Sequence, residues 1–123
     1  MEPVPTEIKL RSQSRVLALT YADRQAFELS FEFLRVHSPS AEVKGHGPGQ
    51  EVLQVGKEDV SIINIEPVGH YAVRLEFDDG HNTGLFTWKY LYELGSDYEG
   101  HWQRYLDRLE AAGYARHKAT DKP

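Results

Sequence analysis

The clearest signal along the chain is a two-residue alternation. In HYAVRLEF (70–77), Tyr71, Val73, Leu75 and Phe77 fall on one face and Ala72, Arg74 and Glu76 on the other, the period of a half-buried strand. Nearer the start, Ile8 and Leu10 alternate with Lys9 and Arg11. SQS then turns the chain, and Leu17, Leu19 and Tyr21 alternate with Val16, Ala18 and Thr20, which predicts a strand pair. VSIINI (60–65) is a short, nearly continuous apolar strand that EPVG turns back. Asp79-Gly80 is a hairpin dipeptide, because Gly takes the positive φ of a type I′ turn cheaply, and HNTGLF is the returning strand. AFELSFEFLRVHS reads two ways: Phe27, Leu29 and Phe31 keep the strand period, while Ser30 can cap a short helical turn carrying Phe33 and Leu34.

Helical spacing takes over in the last third. Thr87 can cap WKYLYEL and Gly95 can end it. Ser96 and Glu99 have the Ser-x-x-Glu spacing of a capping box, opening a second helix that ends near Gly113. On it, Tyr98, Trp102, Tyr105, Leu106 and Leu109 form one buried stripe. Strands first and helices last predict an α+β fold, a mostly antiparallel sheet with two C-terminal helices in a single compact domain. The domain is expected over residues 6–113, between a flexible leader at 1–5 and a flexible tail at 114–123.

Composition narrows the function. The 123 residues carry a net charge of −5, which disfavours nucleic acid and anionic membranes as partners. No cysteine is present, so thiolate metal sites, disulfides and cysteine nucleophiles are excluded, and the cytoplasm is the expected compartment. The start MEPVPTEIKL lacks the basic-then-apolar pattern of a secretory signal.

Candidate chemistry is sparse. The residues two beyond the six histidines are Pro39, Pro48, Ala72, Thr83, Gln103 and Ala119, so no His-x-Asp/Glu iron element exists, and His-Glu-x-x-His is absent too. There is no Gly-x-Ser-x-Gly elbow. Catalytic residues, cofactors and metal are therefore all expected to be none. The acidic pairs Asp78-Asp79 and Glu58-Asp59 read as solvated turns. SPSAEVKGHGPGQ reads as a long irregular loop. Its glycines alternate, but no Lys-Ser/Thr follows, so it is not a phosphate loop. Its expected role is contact with a ligand or protein partner through Lys44, Gly45, His46, Gly47, Gly49 and Gln50, because Lys44 and His46 put positive or protonatable character on an acidic chain.

LRVHSPSAEVKGHGPGQ, IEPVGHYAVRLEFDDGH and TGLFTWKYLYELG together resemble the gamma-butyrobetaine-hydroxylase-like N-terminal domain family, over about residues 6–112. The resemblance implies a compact accessory module. Domains of this type stand at the front of gamma-butyrobetaine and trimethyllysine hydroxylases, whose chemistry belongs to a separate jelly-roll domain. Related ones are joined to nucleotide-binding carriers of iron–sulfur assembly. In the hydroxylases the module resembles a zinc-binding fold with three cysteines and a histidine. Those positions fall here on Ser38, Ser40, Val43 and His81, so the histidine is kept and every thiolate is replaced. The zinc site is expected to be lost, with His81 holding a Ser38 or Ser40 hydroxyl, or loop backbone, so that 37–43 is pinned to the hairpin. The alternatives are a weak metal contact with His37 or His46 and a catalytic role. Function is expected to be that of a non-catalytic protein-interaction module beside iron–sulfur assembly. The alternative is a metal- or ligand-binding regulatory subunit of a 2-oxoglutarate-dependent oxygenase.

Overall fold

Two small antiparallel sheets share one core. The computed structural model describes residues 3–45 and 49–116. The first sheet is a meander of β1 (Glu7–Arg11), β2 (Val16–Thr20) and β3 (Ala26–Ser30), with Leu17 opposite Leu29 and Leu19 opposite Phe27. The second joins β4 (Ile62–Val68), β5 (Ala72–Phe77) and β6 (Leu85–Thr87), with β5 in the middle. Two short helices, α1 (Phe31–Val36) and α2 (Ala41–Lys44), link the sheets, and α3 (Trp88–Ser96) and α4 (Tyr98–Ala111) complete this single α+β domain. Leu17, Leu19 and Leu29 from one sheet meet Val73, Leu75, Phe77 and Phe86 from the other, with Phe31, Phe33 and Leu34 between them. Arg15, in the β1–β2 turn, reaches the second sheet's approach and donates to Ser61 Oγ at 3.0 Å and to the Val60 carbonyl.

The ambiguous 26–37 segment uses both of its patterns. Strand β3 ends at Ser30, whose Oγ accepts from Phe33 N at 3.0 Å and starts α1 at once. Thr87 caps α3 in the same way, accepting from Tyr90 N at 3.1 Å.

Four local expectations are corrected. Strand β4 runs on through Glu66, Pro67 and Val68, and the turn comes at Gly69, whose φ is +55°. Pro67 is tolerated there because β4 is an edge strand. Tyr71 lies outside β5 and is 52% exposed, so the strand's apolar face is Val73, Leu75 and Phe77. At the hairpin Gly80 N donates to Phe77 O and Phe77 N to His81 O, and only Gly80 has a positive φ, so the loop is a type I turn closed by a glycine bulge. Finally, α3 continues through Ser96 and the joint falls at Asp97, which makes no side-chain cap bond. Gly95 is required by packing: a Cβ there would come 2.3 Å from the Phe27 ring.

Helix α4 buries Tyr105 and Leu109 against Val36, with Trp102 and Leu106 half-buried beside them. Ordered contacts extend past Gly113. Tyr114 OH donates to Glu58 Oε2 at 3.1 Å, and the Arg116 guanidinium pairs with Glu32 while lying over the Trp102 ring. Glu58 is therefore buried, 3% exposed, and not on a solvated turn. Among the described residues no helix is long and apolar enough to cross a membrane.

Candidate functional site

The 38–45 segment is held to the β5–β6 hairpin by a chain of side-chain bonds. The segment that was expected to be wholly irregular contains α2, started by Ser40, whose Oγ accepts from Glu42 N at 3.2 Å. His81, 4% exposed, lies with Nε2 2.8 Å from Ser38 Oγ and Nδ1 3.0 Å from Glu42 Oε1. A carboxylate only accepts, so Nδ1 carries the proton and Nε2 accepts from the Ser38 hydroxyl. Ser38 Oγ in turn accepts from Ser40 N, and Ser40 Oγ bonds Thr83 Oγ1 at 2.7 Å. The docking is close enough that a Cβ on Gly84 would fall 2.4 Å from Ser38 Oγ. This use of 81–84 explains why β6 begins only at Leu85 and not at His81.

Asp79 anchors the same corner. Its Oδ2 accepts from Arg35 Nε at 2.9 Å and Lys57 Nζ at 2.8 Å, and its Oδ1 from His81 N at 3.2 Å. Burial opposes its ionisation, but the bonds from Lys57, the His81 backbone and Arg35 outweigh it and bring the pKa down to about 2. Burial lowers the His81 pKa, helped by Arg35 and opposed by Glu42, so the ring is neutral at pH 7.

Serine, imidazole and carboxylate in this order is the arrangement of an acyl-transfer triad. Access is missing, since Ser38 is fully buried with its Oγ engaged on two sides. Nor do these residues fit zinc. The positions that the resemblance aligns with cysteines supply two hydroxyls and the buried side chain of Val43, beside a single imidazole. Among the described residues no group of three or more metal-ligating side chains is placed to hold an ion.

Next to this clamp, a cavity of about 140 Å³ opens between α2 and α4, with Lys44, His37, Glu51, Tyr90 and Arg108 in its walls. Lys44 Nζ lies 4.7 Å from the centre of the Tyr90 ring, and Tyr90 OH donates to the His37 carbonyl at 2.6 Å. His37 Nδ1 lies 2.9 Å from the Phe33 carbonyl and must donate to it, which leaves Nε2 as an acceptor. Burial lowers the His37 pKa to about 4. The bond to Phe33 opposes the fall, and the charges of His101, Lys44 and Arg108 add to it.

The expected contact residues are thus divided. Lys44 lines the cavity. Gly45, φ +73°, ends α2 so close to Gln50 that a Cβ would meet the Gln50 carbonyl at 2.1 Å. Gly49, φ +81°, donates to Glu51 Oε2 at 3.3 Å. His46 and Gly47 lie outside the described residues. Glu42, Arg108 and Tyr90 were missed from sequence. Ser40 followed by an acid in the next turn is a helix-start signal that marks Glu42; nothing local marks Arg108, which comes from α4 some sixty residues on. A larger, mostly apolar groove of about 460 Å³ runs between β1 and β4, lined by Ile8, Ile65, Pro67, Val73 and Trp88, among others.

Fold and site together define a small α+β module in which the buried His81 ties the 38–45 segment to the β5–β6 hairpin. The chain belongs to the gamma-butyrobetaine hydroxylase-like, N-terminal family, which residues 8–92 match. A solution NMR structure is 47% identical, with a TM-score of 0.82, covering 100% of this chain and 95% of the other. A second NMR structure is 51% identical, with a TM-score of 0.79, over 94% of this chain and 86% of the other. A crystal structure of a protein of unknown function from Acidithiobacillus ferrooxidans ATCC 23270, assigned to the DUF971 family, is 44% identical, with a TM-score of 0.63, over 78% of this chain and 94% of the other. No curated protein matches.

Proposed function

We propose that this chain is a non-catalytic accessory module that recognises a protein partner through the face where α2 and α4 meet. The observation that carries this reading is the cavity there: Lys44 and Arg108 both line it, and neither has a carboxylate in ion-pair contact among the described residues. Two cations with no carboxylate partner among the described residues, on an acidic chain, favour an acidic surface, and such complementarity acts chiefly on association rate and specificity. The Ser38–His81–Glu42 clamp supports the same reading, because it holds Lys44 on a fixed backbone instead of a wandering loop, which lowers the ordering cost of binding. Iron–sulfur cluster assembly in the cytoplasm is the proposed setting, resting on the domain combinations of the family. Loss of the family's zinc site belongs to the same reading.

The test is affinity capture with the native chain and with a Lys44→Glu/Arg108→Glu variant. Both side chains are exposed, so the variant keeps the fold. The reading expects a partner held by the native chain and released by the charge reversal. A partner held equally by both would move the interface elsewhere.

A further inference from the structure

The cavity beside α2 presents two kinds of hydrogen-bonding group. Lys44 and Arg108 can only donate. His37 can only accept, since its Nδ1 proton is committed to the Phe33 carbonyl and Nε2 has no partner among the described residues. A plain anion would satisfy the cations and leave Nε2 facing a second acceptor. Glu51, also in the wall, repels a second negative group. At about 140 Å³ the space is well under the roughly 300–1,000 Å³ of a site for drug-sized ligands, so the occupant has only a handful of heavy atoms.

We infer that this cavity is a binding site for a small monocarboxylate bearing a hydroxyl on the adjacent carbon, its carboxylate set between Lys44 and Arg108 and its hydroxyl donating to His37 Nε2. The inference rests on the proposed reading of this face as a recognition surface, and it adds a small-molecule ligand to it. His37 suits the acceptor role over the whole neutral range. Burial keeps its pKa at about 4, and the groups around it are the cations Lys44 and Arg108, with His101 and Tyr105 packed against its ring from α4. Tyr90 fixes the His37 backbone, so the ring is held in place before any ligand arrives. A 2-hydroxy acid would thus bind where an acidic side chain of a partner would otherwise reach, and the two would compete.

NMR titration of the full chain with glycolate, and separately with acetate, tests this. Acetate carries the same carboxylate without the hydroxyl. The expected result is saturable binding of glycolate at least about tenfold tighter than acetate, since a tenfold ratio corresponds to roughly one net hydrogen bond. The His37 Nε2 nitrogen shift should move with glycolate and stay still with acetate, which general ionic effects would not reproduce. Lys44→Met and Arg108→Met, both at exposed positions, should each weaken glycolate by about tenfold, with amide shifts elsewhere unchanged. Equal affinity for the two acids would overturn the inference and leave a site for carboxylate side chains alone. Absence of saturation, or unaltered binding in both methionine variants, would overturn it too. Because no partner is involved, glycolate binding can stand while the capture experiment fails, or fail while a charge-dependent partner is found.

Discussion

Ser38 Oγ and His81 Nε2 are 2.8 Å apart across 43 residues of chain, and both are buried. Ser38→Ala would leave Nε2 and the Ser40 N–H without this partner, each a buried polar group. The expected loss is about 1–3 kcal/mol, against a few tenths for a surface serine. In a double-mutant cycle Ser38→Ala and His81→Ala should be coupled, because removing either already breaks the bond. Urea denaturation of the four proteins measures this, and additive losses would mean that the pair is incidental.

The same positions allow a gain of function. Ser38→Cys, Ser40→Cys and Val43→Cys together would place three thiolates on the segment that packs against His81. Three sulfurs and one imidazole make a structural zinc set, so the triple variant is expected to take up one zinc per chain while the native chain takes none. Elemental analysis after metal removal and re-addition reads the ratio. A zinc-free triple variant would show that these backbone positions cannot converge on one ion.

Gly95→Ala should destabilise the protein although alanine favours helix. Propensity would contribute about 1 kcal/mol in alanine's favour. Against it, the new methyl would lie 2.3 Å from the Phe27 ring, which is locked edge-on against Tyr21 and Tyr92. Overpacking of this kind costs about 1–3 kcal/mol, so a net loss is expected in thermal denaturation. Gly100→Ala is the control. The three atoms nearest its methyl all belong to the exposed Asp97 carboxylate, which can swing away, so the change should be neutral or stabilising.

Stability should fall on mild acidification. The folded-state pKa of His37 lies near 4 and that of His81 is also lowered, both from an ordinary value of 6.5. Between the folded and unfolded values the unfolded chain binds more protons. The contribution is therefore complete above about pH 6.5 and is lost as pH drops toward 4. Asp79 is not the cause, because with a pKa of about 2 it stays ionised throughout that window. Denaturant midpoints at pH 7, 6, 5 and 4.5 should decline steadily, and a flat profile would contradict the lowered histidines.

Reading the sequence reached the parts of this fold that are written locally. Period-two runs placed β2 and β5, and Ser30 and Thr87 declared their helices, because a cap's partner is three residues away. The family resemblance set His81 against Ser38, Ser40 or loop backbone without choosing among them, and the bond found is to Ser38 Oγ. Asp79 was read as a solvated turn residue, since its two cations sit 44 and 22 residues away and no periodicity reports them. Glu42 did carry a local signal, the helix start at Ser40, but a helix of only four residues has no periodicity to set it apart from an irregular loop. Arg108 was missed because it reaches the cavity from α4, far along the chain from Lys44, and no local pattern reports that approach.

The clamp also governs when the site comes into being. The sheets are meanders of neighbouring strands, and hairpins of that kind close within microseconds. Seating Ser38 on His81 needs the β5–β6 hairpin to exist first, and it closes a loop of 43 residues. The Lys44 wall of the cavity therefore depends on that long-range closure, and its shape is only as stable as the Ser38–His81 bond that completes it. A synthetic peptide spanning 38–52 would carry the loop's chemistry without its shape, and would compete poorly with the intact protein for whatever the cavity binds.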